Sequence, residues 1–175
     1  MLISTLENYY DIEKKEAFDD LFKGLWIHDN PTEERNSYLV LRLDFSGIET
    51  SRGKEDLYQS FNEKTKQDIL SFLKYYAPLL QGEITQTIQN EKKPSMLIKT
   101  LSNFVEDNRK QIYLLIDEVD FLFSKKVPAN FDFTKLANDN FANDLIGANE
   151  DNLYYDILSK TGFVRTFYET IKSGA

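Results

Sequence analysis

The sequence predicts a helix-rich α/β domain built around a parallel sheet. Two segments carry that prediction. Ile112-Tyr113-Leu114-Leu115-Ile116 is a continuous apolar run closed by Asp117-Glu118, and a strand without alternation is what a parallel strand covered on both faces requires. Tyr38-Leu39-Val40-Leu41-Arg42-Leu43-Asp44-Phe45 reads as a second, mostly buried strand, with helix-period sequence between the two. A strand–helix–strand order implies a right-handed crossover.

Taken in order, residues 2 to about 22 read as helical, because Leu2, Leu6, Tyr9, Tyr10, Phe18 and Leu21 recur near helical spacing. This helix has no N-cap and no preceding strand, so the expectation is a chain that starts inside a domain. Residues 24–34 read as a loop, with Asp29-Asn30-Pro31-Thr32 as its turn signal. After the first strand, Ser46 to Ser51 forms a loop. A long helix then runs from about Glu55 to Tyr76, with Leu57, Phe61, Ile69, Phe72, Leu73 and Tyr76 as its apolar face. Residues 81–94 are polar and fit either helix or loop. Pro94 suits the first position of a further helix through Met96, Leu97, Leu101, Phe104 and Val105. Beyond Glu118, residues 119–139 show no clean period, and 140–146 form a short segment that could be helical. Residues 151–172 read as a helix with a stripe of Phe163, Val164, Phe167, Tyr168 and Ile171, and Gly174 as its stop.

Composition narrows the chemistry. The 175 residues fit one domain, and 13 Phe with 10 Tyr argue against disorder. The absence of Cys excludes disulfides and thiolate metal sites, and a single histidine, His28, disfavours a His-based metal site or a Ser-His triad. His28 sits in a polar stretch and reads as exposed. A net charge of −8 repels a phosphate backbone, so no direct nucleic-acid contact is expected. No apolar run is long enough to span a bilayer, and the N-terminus lacks the basic region and cleavage site of a signal peptide. The default compartment is the cytoplasm.

The segment IYLLIDE carries the chemistry. Four or more apolar residues followed by Asp-Glu form the Walker B pattern. A buried strand fixes the two carboxylates at its C-terminal end, where open α/β sheets bind ligands. Asp117 would hold Mg²⁺ through water, because Mg²⁺ keeps much of its hydration. Glu118 would orient the attacking water. The same pattern is also how a buried strand exits into solvent. Asp44 ends its strand on the same presumed edge and could join an acidic cluster. Arg42 reads either as a phosphate sensor or as the partner of an acid near the sheet, and Arg165 either as a sensor or as part of a solvated helix face. The stretch Gly47 to Glu55 imitates a phosphate loop. It has one residue too many between its glycines, however, and Glu55 stands where a metal-binding hydroxyl belongs. The plainer reading is a loop entering a helix, with Ser51 or a neighbour as N-cap and Glu55 in the first turn.

Over nearly its whole length the sequence resembles a family of predicted AAA-type ATPases (AAA-ATPase-like) of bacteria and archaea. The matching stretches are LISTLENYYD, LFKGLWI, NPTEERNSYLVLRLDFSGI, SFNEKTKQDIL, IYLLIDEVD, NFANDLI and GFVRTFYETIKSG. Family members are P-loop ATPases, many with a C-terminal nuclease-like domain. The resemblance implies a partial P-loop NTPase-like three-layer fold of the ASCE/AAA type with a truncated parallel sheet. It implies ATP and Mg²⁺ as cofactors, Asp117 for the metal and Glu118 for water activation. The chain also departs from the family. The GKS-type phosphate loop that precedes the first helix in the family is absent before Leu2, and the strands that would follow Ala175 are absent too. Residues 119–139 look like an insertion, so Asp120 or Asp139 could each be the family's acidic residue after the DE pair. The expectation is one partial ATPase domain over 1–175, active only within a longer parent protein and inactive by itself. Two alternatives stand beside it. One is a non-catalytic interaction module that meets a protein partner or a second copy through an exposed sheet edge. The other is a metal-dependent nuclease using Asp44, Asp117, Glu118 or Asp120, for which no Asp then Glu-x-Lys arrangement is present.

Overall fold

A computed structural model of the chain describes residues 2–48, 54–117 and 162–173. Glu118, Asp120, Asp139, the segment 119–139, the stretches 140–146 and 151–161, and Ser51 lie outside the described residues. The elements in chain order are α1 (Leu2–Tyr10), a 3₁₀ turn (Ile12–Ala17), α2 (Phe18–Phe22), α3 (Trp26–Asp29), β1 (Leu39–Asp44) and α4 (Lys54–Tyr75). There follow a 3₁₀ turn (Ala77–Leu79), α5 (Thr85–Asn90), α6 (Pro94–Asp107), β2 (Ile112–Asp117) and α7 (Phe163–Ser173). Among the described residues no helix is long and apolar enough to cross a membrane.

The two strands pair in parallel, from Leu39 opposite Ile112 to Asp44 opposite Asp117. Side chains alternate across a strand, so one face carries Leu39, Leu41 and Leu43 with Ile112, Leu114 and Ile116. These six pack into the main core with α4, α6 and α7. The other face carries Val40, Arg42 and Asp44 with Tyr113, Leu115 and Asp117. There the Tyr10 ring of α1 stacks on Tyr113 with centroids 4.0 Å apart. Helical residues therefore meet both faces of the sheet, as an α/β fold requires.

Helix α4 forms from a run with apolar residues every third or fourth position and with Glu55 and Asp56 in its first turn, where they complement the helix dipole. Its expected face is buried at Leu57, Phe61, Ile69, Phe72 and Tyr76, while Leu73 is half-buried. Pro94 opens α6 at its first turn. Arg109, at a left-handed φ of 57°, closes α6, and the Lys110 amide donates back to the Val105 carbonyl at 3.1 Å.

The single helix expected over 2–22 is broken. The break comes at Asp11, which leaves the helix so that its carboxylate can accept the Glu13 amide at 3.0 Å. Asp11 then forms a parallel bridge with Tyr38, in which the Ile12 amide donates to the Tyr38 carbonyl at 2.9 Å. Asn36, left-handed at φ 51°, ties the corner by donating from Nδ2 to the Asp11 carbonyl at 2.8 Å. The stretch 24–34 is not all loop either, since α3 lies within it. The polar stretch 81–94 resolves into α5 and the start of α6.

The outer edge of β1 is closed by side chains. Leu39 donates its amide to the Gln111 carbonyl just before β2 and Phe45 to the Asp117 carbonyl, so the alternate amides of Val40 and Asp44 point away from that strand. The Tyr76 hydroxyl accepts the Val40 amide at 2.9 Å, and Asp68 Oδ2 accepts the Asp44 amide at 3.0 Å. Burial, with the Asp11 charge adding to it, pushes the Tyr76 phenol above its ordinary pKa. Side chains that take edge amides make a strand a poor template for another. Tyr76→Phe leaves the Val40 amide without its acceptor, and it should cost about 1–3 kcal/mol. In native-state hydrogen exchange the Val40 amide should then lose protection more than the Leu41 amide does. Equal loss at both would mean that the hydroxyl does not close this edge.

Candidate functional site

The C-terminal ends of β1 and β2 bring Asp44 and Asp117 into register. Alternation also places Arg42 on their face. Its guanidinium meets Asp117 Oδ2 at 2.7 Å, with side chains 41% and 31% exposed. The acid near the sheet that Arg42 was expected to meet is Asp117. A partly exposed pair contributes little to stability. Arg42→Ala should therefore change the unfolding free energy by less than about 1 kcal/mol, as read from the urea midpoint. A larger loss would reveal a buried, structural role for the pair.

Asp44 turns back on its own loop. The Ser46 backbone amide donates to Asp44 Oδ1 at 2.9 Å and holds this carboxyl below its usual range, with the Lys64 and Arg42 charges adding to the effect. Gly47, at φ 75°, then carries the chain around. Behind β1, Asp68 on α4 accepts the Asp44 amide and the Lys64 ammonium, the latter at 3.3 Å. The edge is thus a row of three carboxylates, Asp68, Asp44 and Asp117, flanked by Lys64 at one end and Arg42 at the other. Among the described residues no three His, Cys, Asp or Glu side chains stand close enough to hold a metal ion together. Register joins Asp44 to Asp117 at the edge without building a complete metal cage from described side chains.

Asp68 was not foreseen as part of this edge. The available signal was an Asp beside Ile69, on the flank of the buried face of α4, four residues after Lys64. Burial raises its pKa, against the Asp44 amide and Lys64. A carboxyl with a raised folded pKa contributes its full stability below the ordinary carboxylate pKa. That contribution is lost as pH rises through the folded value. Asp68→Asn is neutral throughout and keeps an acceptor for the Asp44 amide. It should flatten the decline in stability across that window in urea melts run at stepped pH, and an unchanged slope would show that Asp68 does not titrate there.

The remaining candidates fall elsewhere. Arg165 pairs with Glu169 at 2.8 Å, one turn along α7. The imitation phosphate loop is described only at its ends. Ile48 is buried in the main core, and α4 begins at Lys54 with Glu55 in its first turn, as a helix entry would have it. His28 is not simply exposed. It lies in α3 with its ring stacked on Phe18, Nδ1 3.0 Å from Asp29 and Nε2 3.3 Å from Asp19. Carboxylates only accept, so serving both requires the doubly protonated ring. The Asp29 bond, helped by that of Asp19, accordingly raises its pKa.

A sequence model of the predicted AAA-ATPase family matches residues 1–135, which include β1, β2 and Asp117. No curated protein matches the chain, and no solved structure does. With more than half its residues matched by that model, the chain belongs to the predicted AAA-ATPase family.

Proposed function

We propose that the C-terminal end of β2 is the Walker B station of a P-loop ATPase core, with Asp117 for Mg²⁺ and Glu118 for the attacking water. The observation that carries this reading is the register that sets Asp117 beside Asp44 where two parallel strands end, the edge at which open α/β sheets take ligands. The donor chemistry fits. Mg²⁺ takes oxygen ligands from one or two carboxylates, with water and phosphate oxygens completing the set. Asp117 supplies a carboxylate, and Asp44, held ionised by Ser46, stands next to it. Bound there, Mg²⁺ would neutralise charge on the β- and γ-phosphates. The chain's own residues do the positioning. Strand β2 fixes the Asp117 backbone, Arg42 orients its carboxylate and must share it with the cation, and Glu118 polarises water. In this reading ATP hydrolysis takes place in the cytoplasm.

The sequence contains no G-x-x-x-x-G-K-[ST] phosphate loop. The proposal therefore assigns ATP binding to a longer parent protein in which that loop precedes α1. The test is calorimetry with Mg²⁺-ATP on this chain and on a version extended upstream through such a loop. Binding by the extended chain alone is the expected result. Binding by this chain would overturn the division of labour, and binding by neither would favour the alternative reading. That alternative is a non-catalytic interaction module in which Arg42 and Asp117 are simply an ion pair. Its partner or second copy would add a strand beside β2, since side chains close the β1 edge.

A further inference from the structure

The corner from α2 into α3 leaves large apolar side chains in water. Leu21, Leu25 and Trp26 are 47%, 51% and 74% exposed, although they fall within six consecutive residues. Large side chains left in water so close together mark interaction sites, and tryptophan is the residue most favoured as a binding anchor.

The patch stands on a rigid support. Phe18 and Phe22 are buried with Tyr9 in a satellite core, their own rings stacked 5.0 Å apart. The His28 ring stacks on Phe18, and the Arg35 guanidinium lies 4.2 Å from the same ring. Gly24, at φ 82°, makes the turn, while the Lys23 amide returns to the Asp19 carbonyl and the Leu25 amide to that of Phe22. A site held this way loses little conformational freedom on binding.

Charge says what fits. Across residues 16–34 the exposed side chains include Glu16, Asp19, Asp20, Asp29, Glu33 and Glu34 against Lys23, and with half-buried His28 protonated between Asp19 and Asp29 the acids still outnumber the cations six to two. A second copy meeting this patch about a twofold axis would set acid against acid. Nucleic acid and anionic lipid would be repelled. We infer that the Leu21–Trp26 corner is a docking surface for a protein segment with an apolar anchor flanked by Lys or Arg.

The chain has one tryptophan, so Trp26 fluorescence reports on the patch directly. The probe is a synthetic leucine–lysine peptide titrated into the full chain, with a leucine–glutamate peptide as comparison. The expected result is a blue shift of Trp26 emission with the lysine peptide only, weakening as salt is added. Anisotropy of the labelled peptide should show affinity about tenfold lower for Leu25→Ser/Trp26→Ser, and lower again at low salt for Asp19→Asn/Asp20→Asn. All four positions are exposed, and circular dichroism checks that the helices persist. Unchanged affinity in the serine variant would reduce the effect to bulk charge and overturn the proposal. So would equal binding of the glutamate peptide, or a Trp26 shift that follows protein concentration without peptide, which would identify a second copy.

Discussion

Phe61→Ala is expected to lower the unfolding free energy by about 3–5 kcal/mol. Its ring is fully buried and holds three elements at once. It stacks on Phe45 at the end of β1 with centroids 4.6 Å apart, and meets Phe163 at 5.5 Å and Phe167 at 5.1 Å, both on α7. Truncation removes the buried ring area and leaves a cavity, which neighbours anchored at the end of β1 and on α7 fill poorly. Domains are stable by only about 5–15 kcal/mol, so the urea midpoint should fall steeply. Met96→Ala, at an exposed position, should stay within about 0.5 kcal/mol. A loss below about 1 kcal/mol at Phe61 would mean that α7 does not pack on α4 in solution.

Asp117→Asn is expected to reduce Mg²⁺-dependent ATP hydrolysis about 10²-fold or more in the extended protein, because metal charge stabilisation is worth several kcal/mol. The substitution keeps the shape of the side chain and removes only its charge. Its effect on stability should be under about 1 kcal/mol, since the pair with Arg42 is partly exposed. Arg42→Ala serves as the comparison. It removes the same ion pair and the orienting contact but leaves the carboxylate, so hydrolysis should fall much less than in Asp117→Asn. Steady-state rates and urea melts on both variants separate the roles. If both lose activity equally, Asp117 acts only as the partner of Arg42 and the metal assignment fails.

Part of the architecture is legible in the sequence. The strand at 112–117 announced itself as an unbroken aliphatic run, and α4 as a helical period with acids in its first turn. Pro94 marked the start of α6, because its missing amide costs nothing there. These signals are local, since each depends on residues within a few positions of one another. The break at Asp11 was not legible. The periodicity of residues 2–22 continues through it, and what ends α1 is a bridge to Tyr38, the residue just before β1 and far along the chain. His28 was misread for a similar reason: its half-buried environment comes from Phe18 and Asp19 on a neighbouring helix.

The candidate site divides along the same line. Sequence by itself determined the α/β class, the two strands and the Asp117 that ends the second, because apolar continuity and its termination are written in consecutive residues. It also pointed to the family. Only the tertiary structure decided that Asp44 stands opposite Asp117, that Arg42 takes the Asp117 carboxylate, and that Tyr76 and Asp68 close the β1 edge. Arg42 and Asp117 are 75 residues apart in the chain. Shifting the strand pairing by one residue would put them on opposite faces, and the register is settled by packing of the whole core rather than by either segment.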